Sequence, residues 1–222
     1  NGRQPDLIRR ALAGEHVDRG AGAGVDHQAG VPRLERARGD QRRPAVRSQR
    51  FGPVVEVPHA AELGFTVHPQ PIIDLITPRT KAIIINSPGN PTGALIAEEA
   101  LAAIADAAAR RGIWVVIDLC YEQLIYDTVA HNLPKVLFDR MRDRAILCGS
   151  ASKSYAMTGW RCWWTIAPPE VVTACNTILS HATSNIASIT QKAALAALTG
   201  SQADVTTMLN EYRTRRDNMH AW

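Results

Sequence analysis

Hydrophobic and polar positions along the chain fall into two regimes that meet near residue 52. Beyond it, short apolar runs alternate with longer stretches whose apolar positions recur every three to four residues. Residues 81–86 (KAIIIN) and 113–118 (IWVVID) are continuous apolar runs closed by a polar residue, the pattern of strands buried on both faces of a parallel sheet. Residues 145–149 (AILCG) and 163–167 (WWTIA) read as two further strands, and residues 53–57 (PVVEV) alternate like a short one. Between the first two runs, residues 97–111 (AEEALAAIADAAARR) place Leu101, Ile104, Ala105 and Ala108 on one helical face. Glu98 and Glu99 stand in its first turn, Arg110 and Arg111 in its last, and Gly112 follows as a stop. Residues 170–182, 188–200 and 203–222 read as successive helices. Strands alternating with helices predict an α/β fold with a largely parallel sheet, joined by a right-handed βαβ crossover.

The first fifty residues carry no such pattern. Eight of them are Val, Ile, Leu or Met, and all twelve aromatic residues lie at or beyond Phe51. They also hold 11 Arg, no Lys and 6 acidic residues, a net +5, while residues 51–222 sum to −1. The overall +4 is therefore no property of the folded body. An Arg-rich arm suits nucleic acid or acidic lipid. This one lacks aromatics for stacking and interleaves Asp and Glu with its Arg, so no nucleic-acid partner is expected. Residues 1–51 read as an atypical segment, disordered or outside the native reading frame. No apolar run is long enough to span a membrane. Four cysteines without metal-ligand or C-x-x-C spacing read as reduced thiols of a cytoplasmic protein, and no metal site is expected.

In parallel sheets ligands collect beyond the carboxyl ends of the strands. The first long strand is followed by Asn86-Ser-Pro-Gly-Asn90-Pro-Thr-Gly93, the second by Asp118 and Tyr121, and the third by Ser150, Ser152, Lys153 and Arg161. Lys153 is one of only four lysines and a candidate imine-forming nucleophile. An Arg nearby can hold a phosphate in a fork of hydrogen bonds. A carboxylate can pair with a protonated ring nitrogen, and a phenol can hydrogen-bond a ring oxygen. These are the needs of pyridoxal phosphate. Ser150-x-x-Lys153 also fits a serine-nucleophile motif, but neither S-D-N nor K-T-G occurs anywhere in the chain.

The segments NSPGNPTG (86–93), DLCYEQLIY (118–126) and SASKSYAMTGWR (150–161) resemble the class I aminotransferases, nearest the aspartate aminotransferase-like branch of the fold-type I pyridoxal phosphate enzymes. The spacings, 28 residues from Asn90 to Asp118 and 35 from Asp118 to Lys153, fit that family. The resemblance covers roughly residues 52–222. It implies a three-layer αβα fold, the large domain of such an enzyme, over 52–199, with 200–222 leading towards a small domain. It also implies pyridoxal 5'-phosphate as cofactor, amino acid and 2-oxo acid substrates (aspartate and 2-oxoglutarate foremost), and a homodimer. Lys153 would bind the cofactor aldehyde and shuttle a proton; Asp118 would keep the ring nitrogen protonated. Tyr121 and Asn90 would hold the ring oxygen, Asn90 also touching the substrate carboxylate, while Ser150, Ser152 and Arg161 would bind the phosphate.

Simpler roles stand beside these: Asp118 as the cap of a following helix, Tyr121 as a half-buried core phenol, and Asn86, Ser87, Pro88 and Gly89 as turn formers. The chain departs from the family where Trp163 replaces a Gly, which predicts overpacking of a buried strand. It also lacks the upstream phosphate-binding turn and stacking aromatic and the downstream substrate-carboxylate Arg, so it reads as a fragment. The competing functions are a non-catalytic cofactor-binding module, an inactive fragment, and a pyridoxal phosphate-dependent lyase.

Overall fold

Four strands form the sheet: β1 (Ala82–Asn86), β2 (Trp114–Asp118), β3 (Ala145–Ser150) and β4 (Trp163–Ile166). They lie in the order β1-β2-β3-β4, the first three parallel and the last antiparallel to β3. The computed structural model describes residues 54–57, 61–126, 129 and 131–222, so the expectations for residues 1–51 lie outside the described residues. Glu56–Trp222 groups into one unit.

The crossover from β1 to β2 is α2 (Glu98–Ala109), preceded in the chain by the short α1 (Pro69–Asp74). The expected apolar face of α2 is the one buried: Leu101, Ile104, Ala105 and Ala108 are each 0% exposed. Gly112 takes φ 64°, a left-handed conformation that lets the chain leave the helix and enter β2. Between β2 and β3 runs α3 (Leu133–Met141), which the sequence reading passed over. Its signals are Asn132, whose side chain caps Lys135 N, a Pro in the first turn, and Leu133, Val136, Leu137 and Met141 on one face. Helices α2 and α3 bury these residues in one core with Val115, Ile117, Ala145 and Leu147 of the sheet. Each large aliphatic side chain so buried contributes roughly 1.5–3 kcal/mol.

After β3 come the single turn α4 (Ala151–Ser154) and, beyond β4, α5 (Pro169–Ala182), α6 (Ser188–Thr199) and α7 (Ala203–His220). A second, smaller cluster joins Ala151, Met157, Cys162 and Ala194, with Trp164 and Tyr155 packed against it. No helix among the described residues is long and apolar enough to cross a membrane.

Three expectations change. Val54–Val57 form no strand, and Val54 and Val55 are exposed; alternation supplies a face, but a strand needs a hydrogen-bonded neighbour. Burial on both faces does not hold at β1, where Ile84 is 76% exposed. Nor is Trp163 overpacked. It lies half exposed on β4, whose alternate residues face outward, and its ring carries the Arg161 guanidinium. The crowded tryptophan is its neighbour Trp164. A Cβ on Gly149, its partner in β3, would stand 2.2 Å from Trp164 Nε1.

Candidate active site

Sheet register sets the site. Asn86 pairs with Asp118 and Asp118 with Cys148, so the three parallel strands end in one row. Backbone bonds extend the row: Ser87 N donates to the Asp118 carbonyl (3.2 Å) and Leu119 N to that of Cys148 (2.8 Å). Everything that follows these strands therefore gathers at one edge of the sheet.

After β1 the chain makes a tight turn. Gly89 N donates to Ala94 O (2.8 Å), Gly93 N donates back to Gly89 O (2.7 Å), and Gly93 takes φ 73°. The turn presents Asn90 to solvent, and Asn90 Nδ2 donates to the Tyr121 hydroxyl at 3.1 Å. Tyr121 is half-buried in the turn after β2, and Lys153 Nζ, arriving from α4, stands 5.8 Å from the centre of its ring. Residues 31 and 32 positions apart in sequence thus converge from three separate strand ends.

Asp118 is half-buried, and its Oδ1 accepts from Cys120 N at 2.9 Å; among the described residues a turn follows it directly, so it caps a turn and not the expected helix. That bond uses one carboxylate oxygen of two. Ser150 Oγ caps α4 by accepting from Ser152 N (2.9 Å) and donates to the Cys162 carbonyl (3.4 Å). Ser152 is buried, and its hydroxyl has no hydrogen-bond partner among the described residues. An orphaned buried hydroxyl costs roughly 1–3 kcal/mol. A hydrogen-bond acceptor brought to that corner would relieve it.

Arg161 adjoins this corner through its backbone but turns its side chain away. It is exposed, with φ 55°; its Nη1 donates to the Thr158 carbonyl (3.1 Å) and its guanidinium lies 4.4 Å from the centre of the Trp163 ring. Lys153, Tyr121 and Asn90 come together; the Arg161 guanidinium is occupied elsewhere.

Three residues here were not singled out from the sequence. Burial pushes the Cys120 thiol up, against the pull of a hydrogen bond from Ser150, while the Asp118 carboxylate pushes it further up and the Lys153 ammonium draws it down. That places Cys120 within the field of all three. Ser87, read as a turn former, is wholly buried, and His131 lies beside it. Nothing in the sequence hinted at the burial of Ser87 or at His131.

Comparison with known proteins decides the family. Residues 43–221 match the family described as "Aminotransferase class I and II". The chain belongs to the class I and II aminotransferases. The aminotransferase of Cereibacter sphaeroides named for aspartate and prephenate is 40% identical over 167 residues, which is 75% of this chain and 42% of that protein. The aspartate aminotransferase of Geobacillus stearothermophilus is 38% identical over 151 residues, 68% of this chain and 38% of that one. Among solved structures, a Thermus thermophilus aspartate aminotransferase bearing four mutations superposes with a TM-score of 0.70 at 38% identity, covering 75% of this chain and 46% of its own. The fold is thus the α/β fold of the aminotransferase family. This member spans less than half the length of the curated aminotransferases it matches.

Proposed function

We propose that the protein is a pyridoxal phosphate-dependent transaminase, moving an amino group from an amino acid to a 2-oxo acid. What carries the reading is the convergence of the Lys153 amine, the Tyr121 phenol and the Asn90 amide at the ends of adjacent strands, in a chain of this family. Aspartate and 2-oxoglutarate are the favoured pair. Aspartate recurs in the names of the relatives, although prephenate and N-succinyldiaminopimelate occur there too.

The residues present suit the cofactor, and the unpartnered Ser152 hydroxyl beside Ser150 is the clearest sign. Pyridoxal phosphate, when bound, supplies an aldehyde that condenses with amines and a ring that takes up the electron pair left by a departing α-proton. Lys153 is the amine that anchors the aldehyde, and afterwards the base that lifts the substrate α-proton and returns it. Asp118, with one oxygen tied to the Cys120 amide, offers the other to the protonated ring nitrogen. Such a charge-assisted bond contributes roughly 1.5–3 kcal/mol. Tyr121 and Asn90 hold the ring oxygen as a pair already joined, and Asn90 extends to the substrate carboxylate. Ser150, Ser152 and Arg161 hold the phosphate. For Arg161 this means leaving both the Thr158 carbonyl and the Trp163 ring, the ring contact alone being about 0.5–1 kcal/mol at an exposed site. A bidentate phosphate contact exceeds that.

The same reading makes the working protein a homodimer, as the family resemblance implies, and places it in the cytoplasm, in keeping with four free thiols. The test is a half-reaction. Aspartate added to the protein loaded with pyridoxal phosphate should move its visible absorbance to the shorter-wavelength band of pyridoxamine phosphate, and 2-oxoglutarate should reverse the change. A one-way loss of amino acid without that band would mean lyase chemistry, and no response to any amino acid would mean a binding module.

A further inference from the structure

Ser87 sits at a junction that none of the roles above uses. It is 0% exposed, and its hydroxyl oxygen accepts from Ile96 N at 3.0 Å, closing the turn that carries Asn90. Its own backbone N–H donates to the carbonyl of Asp118 at 3.2 Å, fastening the same turn to the end of β2. A hydroxyl has one proton and two lone pairs. With the Ile96 amide on one lone pair, the Ser87 proton needs an acceptor, and His131 Nε2 stands 3.5 Å from the oxygen. A neutral imidazole with Nε2 unprotonated completes the set. A protonated one would bring a second donor to Ser87 and strand its proton in a buried place.

We propose that His131 is a positioning residue: by accepting the Ser87 proton it holds the Asn90 turn against the strand end that carries Asp118. The proposal rests on the cofactor site described above, to which Asn90 and Asp118 belong. His131 lies in the connection between β2 and α3, and its side-chain partner is Ser87. Among the described residues, the groups that act on it are Ser87 and Glu98. Burial lowers its pKa, while the Ser87 backbone and the Glu98 carboxylate at the start of α2 raise it, and burial prevails. Glu98 is itself committed, accepting from Asn132 N at 2.6 Å.

The test follows pyridoxal phosphate affinity across pH in the full chain. At about pH 8, His131→Phe and Ser87→Ala should each weaken binding roughly 5–20-fold, and the double variant should be no worse than the weaker-binding single one, because both remove the shared Ser87–His131 contact and Ser87→Ala alone also removes the acceptor of Ile96 N. His131→Gln keeps an acceptor but does not titrate. It should match the parent within about twofold at pH 8 and lose the additional weakening the parent shows towards pH 5.5. A merely structural His131 would leave that pH profile alone. The inference is overturned if the two single effects multiply in the double variant, or if His131→Gln keeps the parent's profile. Should the parent capture no cofactor on Lys153, the cofactor reading fails by itself. The coupling is then read from thermal unfolding of the same four proteins, where additive losses overturn it and a non-additive loss sustains it.

Discussion

Gly149→Ala is the sharpest perturbation the packing offers. Gly149 pairs with Trp164 across the β3–β4 ladder, and an added Cβ would meet the indole at 2.2, 2.5 and 2.9 Å. Ordinary contact begins near 3.4 Å, so the ring must retreat by about 1.2 Å, and it packs against Ala151, Met157 and Ala194. Overpacking of this kind costs roughly 1–3 kcal/mol. For a chain of this size each kcal/mol lowers Tm by about 2–4 °C, giving a loss of roughly 2–12 °C. The assay is a thermal melt followed by circular dichroism, with tryptophan emission recorded on the folded protein. Gly159→Ala is the control, because nothing among the described residues lies within 4 Å of its added Cβ, and it should stay within about 0.5 kcal/mol of the parent. An unchanged Tm and unchanged emission in Gly149→Ala would refute the reasoning, since the close approach of β3 to Trp164 would then not exist.

Trp163→Leu should change stability by less than about 1 kcal/mol, the loss of one exposed cation–π contact, and should strengthen pyridoxal phosphate binding about two- to fivefold by freeing Arg161. A stabilisation of several kcal/mol would restore the overpacking view of Trp163. Limited iodoacetamide treatment should label Cys175 first, because it is exposed while burial pushes the Cys120, Cys148 and Cys162 thiols up; peptide mapping that finds Cys120 first would contradict this. Because burial holds the His131 pKa below its ordinary 6.5, the unfolded chain takes up that proton first. Its contribution to stability should be full above about pH 6.5 and fall as the pH drops, with His131→Gln flattening the decline in denaturant titrations.

Much of this arrangement was legible in the chain. The apolar face of α2 follows from spacing alone, and register then carries Asn86, Asp118 and Cys148 into one row without further information. The three strand-end motifs therefore located the meeting of Asn90, Tyr121 and Lys153 before any coordinates. What escaped was decided by tertiary neighbours. Residues 54–57 alternate correctly but find no strand to pair with, and α3 hid behind a loop-like Asn-Leu-Pro start. Trp163 looked crowded because the resembling family carries a Gly there and the strand was read as buried, whereas β4 turns that position outward. Ser87 and His131 are 44 residues apart, and nothing local marks either as a partner of the other.

Reduction with borohydride after loading with pyridoxal phosphate, followed by peptide mapping, probes the central claim most directly. The account predicts one phosphopyridoxyl group per chain, on Lys153, with none on Lys81, Lys135 or Lys192. Label spread over several lysines, or an unlabelled Lys153 in a folded protein, would contradict it.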